Sequence, residues 1–121
     1  MKRDMDLVRR LLFYIEENQE NEPLQSGEIN IDGHEEGAIG YHLKIMADGG
    51  LIDAQDITTF DSVSYDFFIR NITWYGHEFL DSVRDDGLWT RTKEALKPVG
   101  SASLGVVMNL AASLLNKQLG L

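Results

Sequence analysis

Three histidines, His34, His42 and His77, and the serines at 62, 64, 101 and 103 are the side chains here best suited to metal ligation, proton transfer or nucleophilic attack. His77-Glu78 begins like the HExxH zinc motif, in which two histidines one helical turn apart bind the metal and the glutamate acts as base. The second histidine would stand at position 81, which is Asp81, so the motif fails and His77 with Asp81 reads as a surface pair of little energetic weight. His42 shares a helical stripe with Ile39, Leu43 and Met46, which predicts a core-edge histidine bonded to a backbone carbonyl rather than a ligand. Gly49-Gly50 reads as a helix stop and not a phosphate cradle, and none of the four serines has a neighbouring base or a nucleophile elbow. With no cysteine there is no thiol nucleophile, disulfide or thiolate zinc site. The expectation is a protein that is not an enzyme, with no catalytic, cofactor-binding or metal-binding residues.

The elements that must carry any site follow from hydrophobic spacing. Leu7, Val8, Leu11, Leu12 and Ile15 recur every three or four residues, which predicts an amphipathic helix from Asp4 to Asn18 with Asp4 and Asp6 at its positive end. Pro23 and Gly27 interrupt the polar stretch 19–28, and Ile29-Asn30-Ile31 alternates like a short strand. A second helix is expected from Glu35 to Asp48, stopped by the paired glycines. Leu51-Ile52 opens a strand, and Tyr65, Phe67 and Ile69 alternate with Asp66, Phe68 and Arg70 in another, with a polar loop over 56–64 between them. Thr73 can cap a third helix whose stripe is Trp74, Phe79, Leu80 and Val83. Trp74, Tyr75, Phe79 and Trp89 are expected to lock the later helices onto the core. A further helical stretch from Leu88 closes at Lys97-Pro98-Val99-Gly100. The last segment, 101–121, carries one charge, Lys117, and presents Leu104, Val107, Met108, Ala111, Leu114 and Leu115 as an apolar face expected to pack on its own domain, make a homodimer or dock on a partner.

Helix, strand, helix and two strands around a flexible tip is the order of a winged helix-turn-helix, an α+β fold, here with extra C-terminal helices. Only one full helix fits between Ile31 and Gly49, so the first helix of the turn motif must shrink to a single turn or vanish. Residues 1–97 are read as the winged-helix-like domain with an added helix, and 98–121 as a linker and apolar helix. The stretches MKRDMDLVRRLL, YHLKIMADGGLI (41–52), ITWYGHEFLDSVRDDGLW (72–89) and GSASLGVVMNLA (100–111) resemble a bacterial and prophage family of unknown function. The most specific parts are Tyr41-His42-Leu43 and the run from Thr73 to Leu80. The resemblance implies a winged-helix-like fold and an association with mobile elements.

Charge sets the partner. The 121 residues hold 11 Lys and Arg against 20 Asp and Glu, a formal charge of −9. Between Glu16 and Asp66 the sole base is Lys44, so the helix and wing that would read DNA are negative and would meet phosphates with repulsion. Bases gather instead at Lys2, Arg3, Arg9 and Arg10, and at Arg84, Arg91, Lys93 and Lys97. A basic protein partner, such as a toxin, nuclease or defence factor, is favoured, with a DNA-binding regulator as the alternative. The expected contact residues are Glu35, Glu36, Tyr41, Lys44, Thr58, Thr59 and Asp61. Neither a membrane-spanning segment nor a signal peptide is recognised, which leaves the cytoplasm as the expected location.

Overall fold

The computed structural model describes residues 1–121. In chain order the elements are α1 (Met5–Asn18), β1 (Leu24–Gln25), a 3-10 turn (Ser26–Glu28), α2 (Glu36–Asp48), β2 (Ile52–Asp56), β3 (Phe67–Ile72), α3 (Trp74–Ser82), α4 (Asp86–Leu96), a second 3-10 turn (Lys97–Val99) and α5 (Leu104–Gln118). The strands form one antiparallel sheet in the order β1-β3-β2. This is the winged-helix-like α+β arrangement, and the 3-10 turn at Ser26–Glu28 stands where the first helix of a turn motif would be. No helix is long and apolar enough to cross a membrane.

The chain divides into two compact units, 1–77 and 78–121. The division falls within α3, which leaves α4 and α5 in the same unit. In the first unit the α1 stripe is buried as its spacing requires: Leu7, Val8, Leu11, Leu12 and Ile15 are all removed from solvent. Each stabilises the fold by roughly 1.5–3 kcal/mol through burial. They meet α2 and β3, whose inward residues are Ile39, Leu43, Met46, Phe67 and Ile69. Asp4 caps α1, its carboxylate accepting from the amides of Asp6 (2.9 Å) and Leu7 (3.3 Å).

β1 lies at Leu24–Gln25, not at Ile29–Ile31. The reason lies in what the backbone around Ile29 bonds instead. Its amide donates to the Ser26 carbonyl, the Tyr14 hydroxyl donates to the carbonyl of Glu28, and Arg10 donates to that of Asp32. Both isoleucines are still buried, but as anchors of a loop held by α1 side chains. β2 and β3 pair with a bulge: Asp53 opposes Asn71 while Ala54 opposes Ile69, leaving Arg70 over. The extra residue turns both Ile69 and Ile72 inward, and the Gln19 side-chain amide donates to the carbonyls of Ile69 and Arg70.

α3 starts where expected: the Thr73 hydroxyl accepts from the amide of Gly76 (3.0 Å). Its phase differs from the expected stripe. Gly76, Phe79, Leu80 and Val83 are the buried positions, whereas Trp74 is 82% exposed and Tyr75 is also exposed. A side chain at 76 would collide with the Leu51 carbonyl oxygen, so the close approach occurs at the glycine and the two aromatics before it project outward. Phe79 and Trp89 are buried as expected.

In the second unit α4 packs on α5. Asp85 caps α4 by accepting from the amide of Leu88 (2.8 Å), and Ser103 caps α5 by accepting from that of Val106 (3.3 Å). Gly100, at φ 78°, makes the turn between the helices.

Candidate functional site

The candidate contact residues belong to two adjoining parts of the chain, α2 with the residue before it and the wing that joins β2 to β3. Gly40 makes the junction. A Cβ there would stand 2.9 Å from both the Ser64 hydroxyl and the Tyr65 carbonyl oxygen, so the wing lies on bare helix backbone. The wing itself is closed by hydrogen bonds. The amide of Ile57 donates to the Asp66 carbonyl (2.9 Å), and the amide of Asp66 donates to the Thr58 hydroxyl (3.0 Å). At the tip, the Ser62 amide donates to the Thr59 carbonyl (3.1 Å) while the Thr59 amide donates to the Ser62 hydroxyl (3.0 Å). The hydroxyls of Thr58 and Thr59 thus serve the loop's own structure, engaged within the wing.

Glu35, Glu36 and Asp61 are exposed. Lys44, the single base on α2, donates to Asp48 (2.9 Å) and lies 5.5 Å from the centre of the Tyr65 ring. The hydrogen bond and charge of Asp48 raise its pKa above the ordinary lysine value. Hydrogen bonds from the hydroxyl and amide of Thr58 hold the Asp56 carboxyl below the ordinary carboxylate range. Tyr41 is half-buried, its ring edge-on to that of His42, and it lines a shallow depression with Gly37, Thr58, Ser62 and Tyr65. Beside it a cleft of about 210 Å³ runs between the 3-10 turn, α2 and the wing, lined by Ser26, His34, Glu36, Ile39, Ser64 and Asp66 among others. Its floor is fixed by the buried Ser26 hydroxyl, which donates to Asp66 (2.7 Å) and accepts from the amide of Phe67 (3.0 Å).

The three histidines fall in three different places. His42 is 2% exposed, and both ring nitrogens are engaged: Nδ1 donates to the Ala38 carbonyl (2.8 Å) and Nε2 accepts from the Asp4 amide (2.9 Å). This is the core histidine that its stripe predicts, and it ties α2 to the cap of α1. His34 lines the cleft, and His77 is exposed. Asp81 pairs with Arg84 at 2.9 Å, not with His77.

Of the basic residues near the N-terminus, Arg9 is buried with its guanidinium 4.8 Å from the Phe13 ring centre, and Arg10 bonds the Asp32 carbonyl. Both stabilise the fold locally rather than standing as an open cationic patch. On α5, Val107 and Ala111 are covered by the chain's own packing, while Leu104, Met108, Leu114 and Leu115 are half-buried. Sequence reasoning missed Phe60, fully exposed at the wing tip, and Val63, 85% exposed. The signal was available: a phenylalanine flanked by Thr59 and Asp61 inside a polar turn has no stripe to join.

The family model for the hypothetical proteins DUF2513 matches residues 2–103. A Haemophilus influenzae protein described as uncharacterized is 31% identical over 122 residues, covering 98% of this chain and 99% of its own. No solved structure matches. A match over this much of the chain, together with a full-length relative, shows that the chain belongs to the DUF2513 family.

Proposed function

We propose that this protein is a non-enzymatic interaction module that binds a basic protein through the face formed by α2 and the wing. The observation that carries the reading is the charge of that face. Glu35, Glu36, Asp56, Asp61 and Asp66 lie along it, and its only lysine is already paired with Asp48. A field of one sign speeds encounter with a partner of the opposite sign and repels nucleic acid. In a groove-reading winged helix the same face supplies Lys and Arg to phosphates. Here no Lys or Arg stands between Lys44 and Arg70. The natural partners of such a surface are nucleic-acid-binding proteins, nucleases and toxins among them. The resemblance to prophage proteins supports a reading in which the module serves a mobile-element system, as an antitoxin, immunity or anti-defence factor in the cytoplasm. Self-association through the half-buried apolar side chains of α5 completes the proposal.

The winged-helix topology favours the second reading, a DNA-binding regulator. Affinity purification of the tagged full chain from its native cells, with and without nuclease, separates the two. A basic protein retained in stoichiometric amount after nuclease supports the interaction module. A discrete DNA site, enriched without nuclease and released by raised salt, refutes it in favour of the regulator.

A further inference from the structure

We infer that the wing tip is the apolar anchor of the interface, with Phe60 and Val63 entering an apolar pocket rimmed by Lys and Arg on the partner protein. The inference rests on the acidic-face reading above and specifies its energetic centre. Large apolar side chains that stand fully in water on a small domain call for a cause, and Phe60 is as exposed as a side chain can be. It is also not on a floppy segment. The two reciprocal hydrogen bonds between Thr59 and Ser62 close the turn that carries Phe60 and Asp61, and Asp66 and Thr58 close the loop beneath it. An aromatic presented on a preformed turn loses little conformational entropy on docking, which is the usual character of an interface hot spot.

Charge decides what the pocket looks like. Asp61 adjoins Phe60, Asp56 and Asp66 stand at the base of the wing, and Glu36 faces the wing across the cleft. An apolar tip with one carboxylate beside it and others on the surface behind it matches an apolar pocket rimmed by cations. A DNA groove or an anionic lipid surface would repel the same carboxylates.

The test places a benzophenone amino acid in the full chain at position 60, and separately at position 36, for photo-crosslinking in native cells with peptide-level mass spectrometry. The expected result is that both positions capture the same protein, and that the peptide joined to position 60 contains apolar residues beside Lys or Arg. Phe60→Ser should lower the yield at position 36 at least tenfold, with circular dichroism and melting temperature unchanged because the side chain makes no folded contacts. Capture of a basic protein at 36 but none at 60, or a Phe60→Ser effect under twofold, overturns the anchor and leaves the acidic-face reading standing. Labelling at 60 of nucleic acid, lipid or a peptide without Lys or Arg also overturns it. If neither position captures a basic protein, both readings fail.

Discussion

Replacing Gly40 by alanine tests whether the close seat of the wing on α2 is real. In an ordinary helix interior the change is favourable by about 1 kcal/mol, because alanine loses less backbone entropy than glycine. At position 40 the new Cβ would sit 2.9 Å from the Ser64 hydroxyl and 2.9 Å from the Tyr65 carbonyl oxygen, with the Tyr65 amide nitrogen at 3.2 Å. The hydroxyl can rotate away, but the backbone atoms cannot, so the wing must lift by a few tenths of an ångström. Overpacking of this kind costs about 1–3 kcal/mol, which outweighs the propensity gain and leaves a net destabilisation of about 1 kcal/mol. Gly37, three residues earlier in the same helix, has nothing within 4 Å of its Cβ position and provides the reference. Gly37→Ala should be neutral to slightly stabilising, and Gly40→Ala should lower the melting temperature by on the order of 4 °C. Denaturant unfolding of the two variants gives the sign, and amide chemical shifts of 57–66 locate the disturbance. If Gly40→Ala stabilises as much as Gly37→Ala, or leaves the wing resonances unmoved, the packing argument is wrong.

Three further outcomes are expected. His42→Ala removes a buried ring and leaves the Asp4 amide without its acceptor, so chemical denaturation should show a loss of about 2–4 kcal/mol, while His34→Ala, at a surface cleft, should cost under about 0.5 kcal/mol. Because the Asp56 carboxyl titrates below its ordinary range, its bond to the Thr58 amide is fully present above that range and is lost only as pH falls through the lowered value; an NMR titration of that amide should show a transition below the ordinary carboxylate range, and Asp56→Asn should abolish it. Light scattering of the purified chain should give twice the 13.7 kDa chain mass, and Leu104→Lys with Leu115→Lys should return it to one chain; a wild-type monomer at all concentrations would rule out the proposed dimer.

Local features were legible before the fold was known. The α1 stripe, the Thr73 cap and the glycine stop of α2 all depend on residues within a turn or two of one another, as does the bond of His42 to a carbonyl of its own helix, whereas its second bond, from the Asp4 amide, does not. What was not legible depends on distant partners. Leu24–Gln25 becomes a strand only because it meets Phe68 and Ile69, whereas Ile29–Ile31 is held as a loop by α1 side chains that bond the carbonyls on either side of it. Trp74 fits an apolar stripe on paper. It faces out because the Leu51 carbonyl lies against Gly76, a contact between residues 25 positions apart in sequence. At the site, Tyr41 and Thr58 line one depression, Glu36 borders the neighbouring cleft and Lys44 lies beside Tyr65. The site's most exposed apolar residue, Phe60, was hidden by the polar character of its neighbours.

The acidic face is tested most directly by carrying the nuclease-treated purification out on the triple variant Glu35→Lys, Glu36→Lys, Asp61→Lys beside the wild-type chain. All three side chains are exposed, so the variant should fold with an unchanged circular dichroism spectrum. The expected result is a basic protein recovered in stoichiometric amount with the wild type and reduced at least tenfold with the variant. Equal recovery of the same protein by both chains, or a DNA fragment recovered only when nuclease is omitted, would contradict binding through the face of α2 and the wing.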